Sequence, residues 1–511
     1  MKKCLSLLIA LCVSSGSALG QGSGLARNVI IFVSDGCGYK HVEAANLYLH
    51  GEIGMQVYQQ FPVAAGMSTY AINGSYSAQL AWSDFNHVKS GATDSAAAAT
   101  ALSTGVKTYN GAIGVNSAGQ PVANVLEGAE ELGKATGVVT SVQISHATPA
   151  GFVAHNQSRN NYAQIASEMI QQSEADVIMG CGHPTYDDNG NLKTFGFDYK
   201  YVGGSATWNA LLAGSAGAAV DADHNGALDD AWTLIQTRAE FAALANGPTP
   251  GRVIGVAQVG GTLQQRRAGG GSAPYDAPMI QTVPTLEMMT DAALNVLDDD
   301  PDGFFLMVEG GAVDWAGHAG QSGRMIEEEI DFNNSVRAVV DWIEANSSWD
   351  ETLVIVTGDH ETGYLTRQST GAGDVTWAHE PLQNNGADNL PGMQWNSGSH
   401  TNSLIPFYAK GAGSQAFAGF TAGTDPHRGS YIDNTTVARL ALAAMKKELI
   451  IPGDASRDCK VDMLDMIFVR DRLNTDPATS DNWQADTNMD DKINILDMLV
   501  VRNALRTSCE D

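Results

Sequence analysis

The chain has 511 residues and a formal net charge of −28, with 43% hydrophobic and 17% charged residues. This composition excludes an intrinsically disordered chain, and the length suits one large domain with a smaller appendage. The acidic balance argues against a nucleic acid as partner, because phosphate backbones are bound by fields of Lys and Arg.

The first residues have the pattern of a secretory signal peptide. Lys2 and Lys3 precede a mostly apolar run over residues 5–13, and small residues at 18–20 suit cleavage before Gln21. The run is shorter than the roughly 20 residues that cross a bilayer, and no later segment offers such a run. We therefore predict a signal peptide over the first 20 residues. The mature protein is expected to be secreted, periplasmic or held at the cell surface, without a transmembrane segment.

Six cysteines are present, of which two lie in the predicted signal peptide. Four remain in an oxidising compartment, an even number that permits two disulfides. Cys459 and Cys509 both lie in the tail and are expected to pair, which leaves Cys37 with Cys181 by elimination. Sequence alone leaves this connectivity open.

Runs rich in Val, Ile and Phe predict buried strands, since strands of a parallel sheet that is covered on both faces are apolar throughout. These runs are residues 28–35, 137–143, 175–180, 304–309 and 352–359. Between them, residues 122–133 are rich in Ala, Leu and Glu, and apolar residues from Ile326 to Ile343 mark one face of a helix. The alternation predicts an α/β fold with a largely parallel central sheet covered by helices on both faces.

Three of the predicted strands end on a carboxylate, namely Asp35, Glu309 and Asp359. Ligands of open α/β sheets bind at the carboxyl edge of the strands, so these side chains are expected to meet at one site. Two further stretches, residues 203–274 and 361–399, are interpreted as insertions, and the second is expected to cap or frame that site.

The segment Asp94-Ser95-Ala96-Ala97 opens a run of small residues that continues to Leu102. Such a run forms a helix, and a Ser at its N-terminus would lie where backbone N–H groups and the helix dipole favour an anion. The same residues also suit a plain N-cap followed by an Ala-rich core helix. The segment taken alone leaves both interpretations open.

Further carboxylates and imidazoles occur at spacings that suit metal ligands. Asp314 and His318 are four residues apart, on one face of a helical turn. Asp359 and His360 end a predicted strand, and His400 follows in a short polar segment. A lone His is more often structural than a ligand, but these residues taken together predict a metal site.

The motifs and their order resemble the alkaline phosphatase family over about residues 28–448, and the Asp-Ser-Ala-Ala segment is specific to that family. The resemblance implies an exported phosphomonoester hydrolase that acts best at alkaline pH. Ser95 would form a covalent phosphoserine, and Arg159 would clamp the phosphate. The resemblance also implies two zinc ions, one magnesium ion and a homodimer.

The resemblance further implies three sets of metal ligands in this chain. The first zinc ion would be held by Asp314, His318 and His400. The second zinc ion, with Ser95 as its reactive ligand, would be held by Asp35, Asp359 and His360. The magnesium ion would be held by Asp35, Thr148 and Glu309, with His146 from the same loop as Thr148.

Two positions depart from part of the family. His146 stands where some members have Asp, which leaves the identity of the third metal open. Trp315 stands where some members have Lys, and Trp cannot hold phosphate through a charged water network. We therefore predict that phosphate is held less tightly and released sooner than in those members.

Two other functions remain open. One is a phosphodiesterase or sulfatase of the same superfamily, against which Asp94-Ser95-Ala96 together with Arg159 favours the monoesterase. The other is a catalytically inactive adhesion or scaffold component whose tail is the functional part, which the presence of every expected ligand counts against. The physiological substrate is not determined by the sequence.

Two segments repeat after residue 451, where the composition changes. In each, oxygen-bearing side chains fall at positions one, three, five, nine and twelve of an EF-hand-type loop, and a Lys at position seven offers its backbone carbonyl. The predicted calcium ligands are Asp454, Ser456, Asp458, Lys460, Asp462 and Asp465 in the first loop and Asp486, Asn488, Asp490, Lys492, Asn494 and Asp497 in the second. Apolar residues follow each loop and predict a short helix there.

This tandem resembles a dockerin module, which implies calcium-dependent folding and a cohesin-like partner. The expected partner-facing pairs, Met463-Leu464 and Ile495-Leu496, are apolar, so the usual partners cannot be assumed. A calcium-stabilised cap without a partner is the alternative. The predicted segments are a signal peptide (1–20), an alkaline phosphatase domain (21–450) and a dockerin-like domain (451–511).

Overall fold

The computed structural model describes residues 26–369, 376–446, 453–455, 460–475, 483–487 and 493–505. The predicted signal peptide and the boundary near residue 451 lie outside these ranges, as do both members of the predicted Cys459–Cys509 pair. The predicted calcium ligands outside the described residues are Ser456, Asp458, Asn488, Asp490 and Lys492.

The strands of the described residues, numbered in chain order, have the following bounds. They are β1 (Asn28–Ser34), β2 (Val63–Ser68), β3 (Ala135–Gln143), β4 (Val177–Cys181), β5 (Thr233–Ile235), β6 (Val253–Val256), β7 (Phe304–Gly310), β8 (Thr352–Gly358), β9 (Glu361–Thr362), β10 (Leu365–Thr366), β11 (Gln394–Trp395), β12 (His400–Thr401), β13 (Ile405–Gly411), β14 (Gly423–Asp425) and β15 (Gly429–Asp433).

Eleven of these described strands form one sheet in the order β14-β15-β2-β13-β8-β1-β7-β3-β4-β6-β5. The run from β8 to β5 is parallel throughout, whereas β13 is antiparallel to both β8 and β2. The predicted fold is therefore confirmed. The five predicted strands are β8, β1, β7, β3 and β4, which are adjacent at the centre of the sheet.

The helices of the described residues are also numbered in chain order. They are α1 (Tyr39–His50), α2 (Ala78–Ser83), α3 (Ser95–Thr104), α4 (Val125–Glu130), α5 (Ala147–Val153), α6 (Tyr162–Gln171), α7 (Ser205–Leu212), α8 (Arg238–Leu244), α9 (Leu286–Leu297), α10 (Ala312–His318), α11 (Ser322–Asn346), α12 (Thr435–Met445), α13 (Met463–Arg470) and α14 (Ile495–Ala504). Among them, no helix combines the length and the apolar character that crossing a membrane requires.

Helices cover both faces of the sheet, and this explains why residues 29–33 of β1 are all apolar. Val29, Ile31 and Val33 pack into one core with residues of α3, α5 and α12. Ile30 and Phe32, which alternate with them, pack into the opposite core with residues of α9 and α11. Each fully buried aliphatic side chain contributes roughly 1.5–3 kcal/mol, so both faces of the strand stabilise the fold.

The interpretation of residues 203–274 as an insertion is wrong in part. This stretch supplies β5 and β6, which extend the main sheet beyond β4. Both strands are short, three and four residues long, and only β6 is fully buried. Their brief apolar runs therefore did not stand out against the Gly- and Ala-rich sequence around them.

The predicted disulfide between Cys37 and Cys181 is absent, and both cysteines are buried and free. Cys37 follows β1, whereas Cys181 ends β4, and β7 and β3 lie between these strands. Neighbouring strands are about 4.8 Å apart, so about 14 Å separates β1 from β4, while a disulfide needs Cα atoms within about 7 Å. The pairing was inferred by elimination among the cysteines, and that inference contains no information on the distance between the strands.

Candidate active site

Ser95 is the first residue of α3, at the end of the helix where backbone N–H groups lack partners inside the helix. Asp94 caps α3 by accepting a hydrogen bond from the backbone N–H of Ala97 at 3.0 Å. The small residues of α3 let α5 approach, since a Cβ added at Gly151 would lie only 2.7 Å from the Cβ of Ala99. The Ala-rich sequence thus positions Ser95 and packs the helix behind it.

The carboxylates predicted at strand ends meet at one edge of the sheet. Asp35 directly follows β1, Glu309 is the penultimate residue of β7, and Asp359 directly follows β8. β1 lies between β7 and β8, and all three side chains are fully buried. A sheet edge that gathers three buried carboxylates needs positive charge to balance them.

The cluster beside the nucleophile consists of Ser95, Asp35, Asp359 and His360. Oγ of Ser95 lies 3.3 Å from Nε2 of His360. The same Nε2 lies 3.2 Å from Oδ2 of Asp359 and 3.7 Å from Oδ1 of Asp35. The structure therefore brings together the four residues expected at the second zinc ion, which we call the serine cluster.

A neighbouring cluster consists of Asp314, His318 and His400, and we call it the histidine cluster. Oδ1 of Asp314 lies 3.4 Å from Nε2 of His318 and 3.5 Å from Nε2 of His400. Gly36 makes this approach possible, because its φ is +77° and a Cβ there would lie 2.6 Å from the Cα of Asp314. The three residues expected at the first zinc ion are therefore together.

The tautomers of the two imidazoles in the histidine cluster follow from their neighbours. Nδ1 of His318 lies 2.7 Å from the carbonyl oxygen of Gly398, and Nδ1 of His400 lies 2.9 Å from that of Thr93. A carbonyl only accepts hydrogen bonds, so each Nδ1 carries a proton, and the neutral form of each ring would present its lone pair at Nε2. These Nε2 atoms lie 3.0 Å apart. Two lone pairs that face each other at this distance fit a cation held between them.

The third cluster consists of Asp35, His146 and Glu309, and ligand atoms of these residues lie within 4.8 Å of one another. Thr148 lies in the same loop and helix as His146 and is fully buried. Oε2 of Glu309 accepts a hydrogen bond from Thr140, a residue that the sequence analysis did not identify. We call these residues the carboxylate cluster, and it corresponds to the expected magnesium site.

Several buried polar atoms of the serine and carboxylate clusters have no hydrogen-bond partner. They are both carboxylate oxygens of Asp35, Oδ2 of Asp359, Oε1 of Glu309, Nδ1 of His146 and Oγ1 of Thr148. A buried polar atom without a partner costs about 1–3 kcal/mol, so a folded protein rarely gathers such atoms without a ligand. The donor set of oxygen and nitrogen atoms suits divalent metal ions.

The protonation equilibria point to the same need for positive charge. Burial, together with repulsion from Asp359, Asp314 and Glu309, raises the pKa of Asp35 well above its usual range. Burial also raises the pKa of Asp359 to about 8 and that of Glu309 to about 7. Burial and the neighbouring His400 and His318 lower the pKa of His360. Carboxylates that resist ionisation beside imidazoles that resist protonation are the pattern that a divalent cation relieves.

Arg159 is held at the site by two contacts. Its backbone N–H donates to the carbonyl oxygen of Gly111 at 2.7 Å, and its Nη1 donates to Oδ2 of Asp94 at 3.0 Å. Asp94 therefore caps α3 with one oxygen and positions Arg159 with the other. This arrangement fixes the guanidinium beside the N-terminus of the helix that begins with Ser95.

The clusters open onto a cavity of about 580 Å³, which we call the reaction cavity. Its lining residues are Ser95, His146, Arg159, Gln265, Arg266, Asp314, Trp315, His318, Ala319 and His400. Gln265 and Arg266 were not identified from the sequence. They lie in a polar part of the stretch interpreted as an insertion, where no motif marked them as site residues. Six residues predicted from separate motifs border this cavity, namely Ser95, His146, Arg159, Asp314, His318 and His400.

Thr362 is a further residue that the sequence analysis missed. Its Oγ1 donates to Oδ1 of Asp314 at 2.5 Å and lies 3.3 Å from Nδ1 of His360. The antiparallel pairing of β9 with β12 places Thr362 opposite His400. The one sequence signal for Thr362 was its position two residues after His360. The stretch 361–399 was expected only to cap or frame the site, so Thr362 was given no role of its own.

The described part of the tail has the predicted arrangement of loop and helix. Asp462 and Asn494, at position nine, cap α13 and α14. Asp465 and Asp497, at position twelve, are fully buried and accept from the backbone N–H groups of Asp462 and Asn494 at 2.8 and 2.7 Å. Positions nine and twelve therefore make the same contacts in both repeats. Asp454 and Lys460 also lie within the described residues.

A buried ion pair joins the second loop to α12. Nη1 of Arg439 lies 2.7 Å from Oδ2 of Asp486, a predicted calcium ligand whose side chain is fully buried. Arg439 also donates to the carbonyl oxygen of Gly105 through Nε at 3.1 Å and Nη2 at 2.7 Å. Gly105 ends α3, so the second calcium loop is linked to the helix that carries Ser95.

Comparisons with known proteins agree with these observations. A family model described as alkaline phosphatase matches residues 26–403, and one described as dockerin type I domain matches residues 452–506. Alkaline phosphatase 3 of Bacillus subtilis is 28% identical over 492 residues, which cover 83% of this chain and 90% of that protein. Alkaline phosphatase H of Pseudomonas aeruginosa is 34% identical over 351 residues, which cover 66% of this chain and 69% of that protein.

Among solved structures, that of the alkaline phosphatase from the Antarctic bacterium TAB5 has a TM-score of 0.57 at 26% identity. The match covers 83% of this chain and 100% of that chain. The family match extends over most of the chain, and the sheet edge carries the residues by which the family was predicted. The chain is therefore an enzyme of the alkaline phosphatase family and also carries a dockerin type I domain.

Proposed function

We propose that the protein hydrolyses phosphomonoesters through a covalent phosphoserine on Ser95, at a centre of two zinc ions and one magnesium ion. The alkaline phosphatase family is metal-dependent, and the residues here fit metal ions by their chemistry. The observation that carries the proposal is the 3.0 Å separation of the Nε2 atoms of His318 and His400, whose lone pairs face each other. A catalytically inactive scaffold would have no need to maintain this repulsive arrangement.

The ligands would divide among the three clusters. The histidine cluster would hold one zinc ion, and Asp35, Asp359 and His360 of the serine cluster would hold the other. Asp35, Thr148 and Glu309, with His146, would hold the magnesium ion. When bound, the ions supply positive charge that lowers the pKa of a nearby hydroxyl and stabilises the charge that develops on phosphoryl oxygens.

The chain's own residues would carry out the remaining tasks. The dipole and backbone N–H groups at the start of α3 favour the phosphoryl anion beside Ser95. Arg159, oriented by Asp94, grips phosphoryl oxygens with its planar fork of donors. Ser95 loses its proton and its Oγ bonds to phosphorus while the bond from phosphorus to the alcohol oxygen breaks, and the alcohol leaves with a proton. Water then attacks phosphorus, releases phosphate and returns a proton to Oγ.

The test compares hydrolysis of p-nitrophenyl phosphate at alkaline pH by the wild type and by Ser95→Ala. Ser103→Ala is the matched control, since it removes a buried hydroxyl from the same helix, about two turns away, where it bonds to the carbonyl of Gly151. We expect activity to be lost in Ser95→Ala and after chelation of the wild type, and to persist in Ser103→Ala. Mass spectrometry of acid-quenched wild type should detect one phosphoryl group on Ser95.

Parallel assays separate the other candidate functions. Turnover of bis(p-nitrophenyl) phosphate or p-nitrophenyl sulfate in preference to the monoester would replace the proposed activity with that of a phosphodiesterase or sulfatase. Absence of turnover of all three esters by metal-loaded protein would assign the function to the tail. Zinc and magnesium content, measured by elemental analysis, would show whether the three sites take the proposed ions.

For the tail, we propose a calcium-binding module over residues 451–511 that attaches the enzyme to a cohesin-like partner. We also propose that a signal peptide over residues 1–20 exports the enzyme. The paired apolar positions support a partner surface: Met463 and Leu464 are 61% and 58% exposed, and Ile495 and Leu496 are 62% and 49% exposed. Each pair begins the helix that follows a loop, so the two pairs occupy equivalent places in the repeat.

Binding of the full chain to immobilised cohesin domains, measured with calcium and with chelator, tests this part of the proposal. Replacement of the four exposed residues by Ser should abolish calcium-dependent binding and leave hydrolysis of the aryl phosphate unchanged. Binding that survives these changes, or that does not depend on calcium, would contradict the proposal. Secretion of the full chain, compared with a chain that begins at residue 21, tests the signal peptide.

A further inference from the structure

We propose that Arg266 selects phosphomonoesters whose leaving group carries a second anionic group, a carboxylate or a phosphate. This inference rests on the proposed phosphomonoesterase function and concerns the specificity of that site. Arg266 is a second arginine of the reaction cavity, and it comes from the loop between β6 and α9. The other arginine, Arg159, is already assigned to the transferred phosphoryl group.

The guanidinium of Arg266 has a defined place in the cavity. Its Cζ lies 4.6 Å from the centroid of the Trp315 ring, and that ring packs against His146 with centroids 5.5 Å apart. Stacking on Trp315 thus holds a preorganised cation at the edge of the reaction cavity.

The charge of Arg266 is available to a ligand. Its side chain is 50% exposed, and its ion pair with Asp188 is long, at 3.6 Å between Nη1 and Oδ2. An exposed pair of this kind contributes only about 0–1 kcal/mol, so a substrate anion can displace it. The adjacent Arg267 is different: its guanidinium is buried and bonds to backbone carbonyls and to Glu327 at 2.8 Å. Arg267 is therefore structural, whereas Arg266 faces the cavity.

A second polar cavity, of about 320 Å³, shares Arg266 with the reaction cavity. Its other charged lining residues, Lys193 and Lys200 against Asp187, Asp188 and Asp198, largely balance one another, and Lys200 pairs with Asp198 at 3.1 Å. Ser95 and Arg159 line the reaction cavity, where the phosphoryl group would react. A leaving group that extends from Ser95 past Trp315 would meet the guanidinium of Arg266. Its recognition by this cation requires negative charge on the leaving group.

The test uses two substrates that differ in one group. 3-Phosphoglycerate and glycerol 3-phosphate are both phosphate esters of a primary alcohol, but only the first carries a carboxylate. The variant is Arg266→Met, which keeps an unbranched apolar stem over Trp315 and removes the charge. A hydrogen bond to a charged group contributes about 1.5–3 kcal/mol, so kcat/KM for 3-phosphoglycerate should fall about tenfold or more. For glycerol 3-phosphate it should change less than about threefold.

Asp188→Asn provides a second, opposite perturbation. The amide oxygen can still accept from the backbone N–H of Gly261, a contact of 2.7 Å in the wild type, but it no longer pairs with Arg266. We expect this variant to raise kcat/KM for 3-phosphoglycerate by about twofold to threefold, because a weak competing pair of under 1 kcal/mol is removed. Circular dichroism and thermal unfolding confirm that both variants are folded.

Equal losses on the two substrates in Arg266→Met would overturn the inference, because Arg266 would then act on the phosphoryl group or on the cavity as a whole. Unchanged kinetics on both substrates would overturn it as well. If the wild type hydrolyses neither of these substrates and does not hydrolyse p-nitrophenyl phosphate, the proposed function is overturned and this inference with it. A selective loss for the carboxylate-bearing ester, reversed in sign by Asp188→Asn, is the supporting result.

Discussion

Thr362→Val tests whether a hydroxyl that touches no substrate holds two of the proposed metal ligands in place. Thr362 is fully buried and donates to Asp314 at 2.5 Å, and its oxygen lies 3.3 Å from Nδ1 of His360. Asp314 and His360 belong to different clusters, so the hydroxyl links the histidine cluster with the serine cluster. Val has nearly the same shape as Thr and lacks the hydroxyl, so the substitution leaves both partners without this contact.

The magnitude follows from the lost contacts. A hydrogen bond to a charged group is worth about 1.5–3 kcal/mol, and each 1.4 kcal/mol is a factor of ten in an equilibrium constant. Removal of an outer hydrogen-bond partner of a metal ligand commonly weakens metal binding by about 10–100-fold. We therefore expect the chelator concentration that removes half the bound zinc to fall about tenfold or more in Thr362→Val.

Thr136→Val is the matched control. Thr136 is also a fully buried threonine at a strand position, and its Oγ1 donates to the carboxyl group of Glu130 at 2.8 Å, away from the metal ligands. The assay titrates a zinc chelator against each protein and measures retained zinc and activity. Equal zinc retention in the wild type and Thr362→Val would refute the reasoning, as would an equal loss in Thr136→Val. The expected result is a loss confined to Thr362→Val.

Three further predictions concern phosphate release, pH and calcium. Trp315→Lys adds a cation to the reaction cavity, so inhibition by inorganic phosphate should strengthen, and equal inhibition constants would contradict the idea that Trp315 speeds release. Burial raises the pKa of Glu130 from 4.5 to about 8, so between these pH values the folded protein keeps a proton that the unfolded chain releases. The free energy of unfolding therefore falls as the pH rises from 4.5 to about 8. Glu130→Gln should remove this loss, so the Tm of the variant minus that of the wild type should increase between pH 4.5 and 8. A Tm difference that stays constant over this range would contradict the raised pKa of Glu130. Arg439→Met removes the ion pair of Arg439 with the buried Asp486, and breaking a buried pair costs about 3–5 kcal/mol. Bound calcium should compensate that charge, so thermal unfolding should show a larger destabilisation with chelator than with calcium, and equal effects would exclude Asp486 as a ligand.

The central strands were predictable because burial on both faces leaves a clear record in the sequence. β1 needs Val29, Ile31 and Val33 for one core and Ile30 and Phe32 for the other, so every position from 29 to 33 is apolar. The strands toward the edges were not predicted. β13, for example, is antiparallel to its neighbours and includes partly exposed positions at Tyr408, Lys410 and Gly411, so its sequence lacks a continuous apolar run.

Short motifs were enough to predict Ser95, Asp314 with His318, and Asp359 with His360 as candidate site residues, and the apolar strands that end on Asp35 and Glu309 were expected to converge at one sheet edge. Which other residues border the candidate site depends on how the whole chain packs. Arg266 and Thr362 gain their roles from contacts with residues far away in the chain, with Trp315 in one case and Asp314 in the other. The separation of Cys37 from Cys181 likewise follows from strand order, which local sequence does not encode. Local patterns report whether a residue is buried and in what element, whereas the partner across a loop or sheet is set by packing of the whole chain.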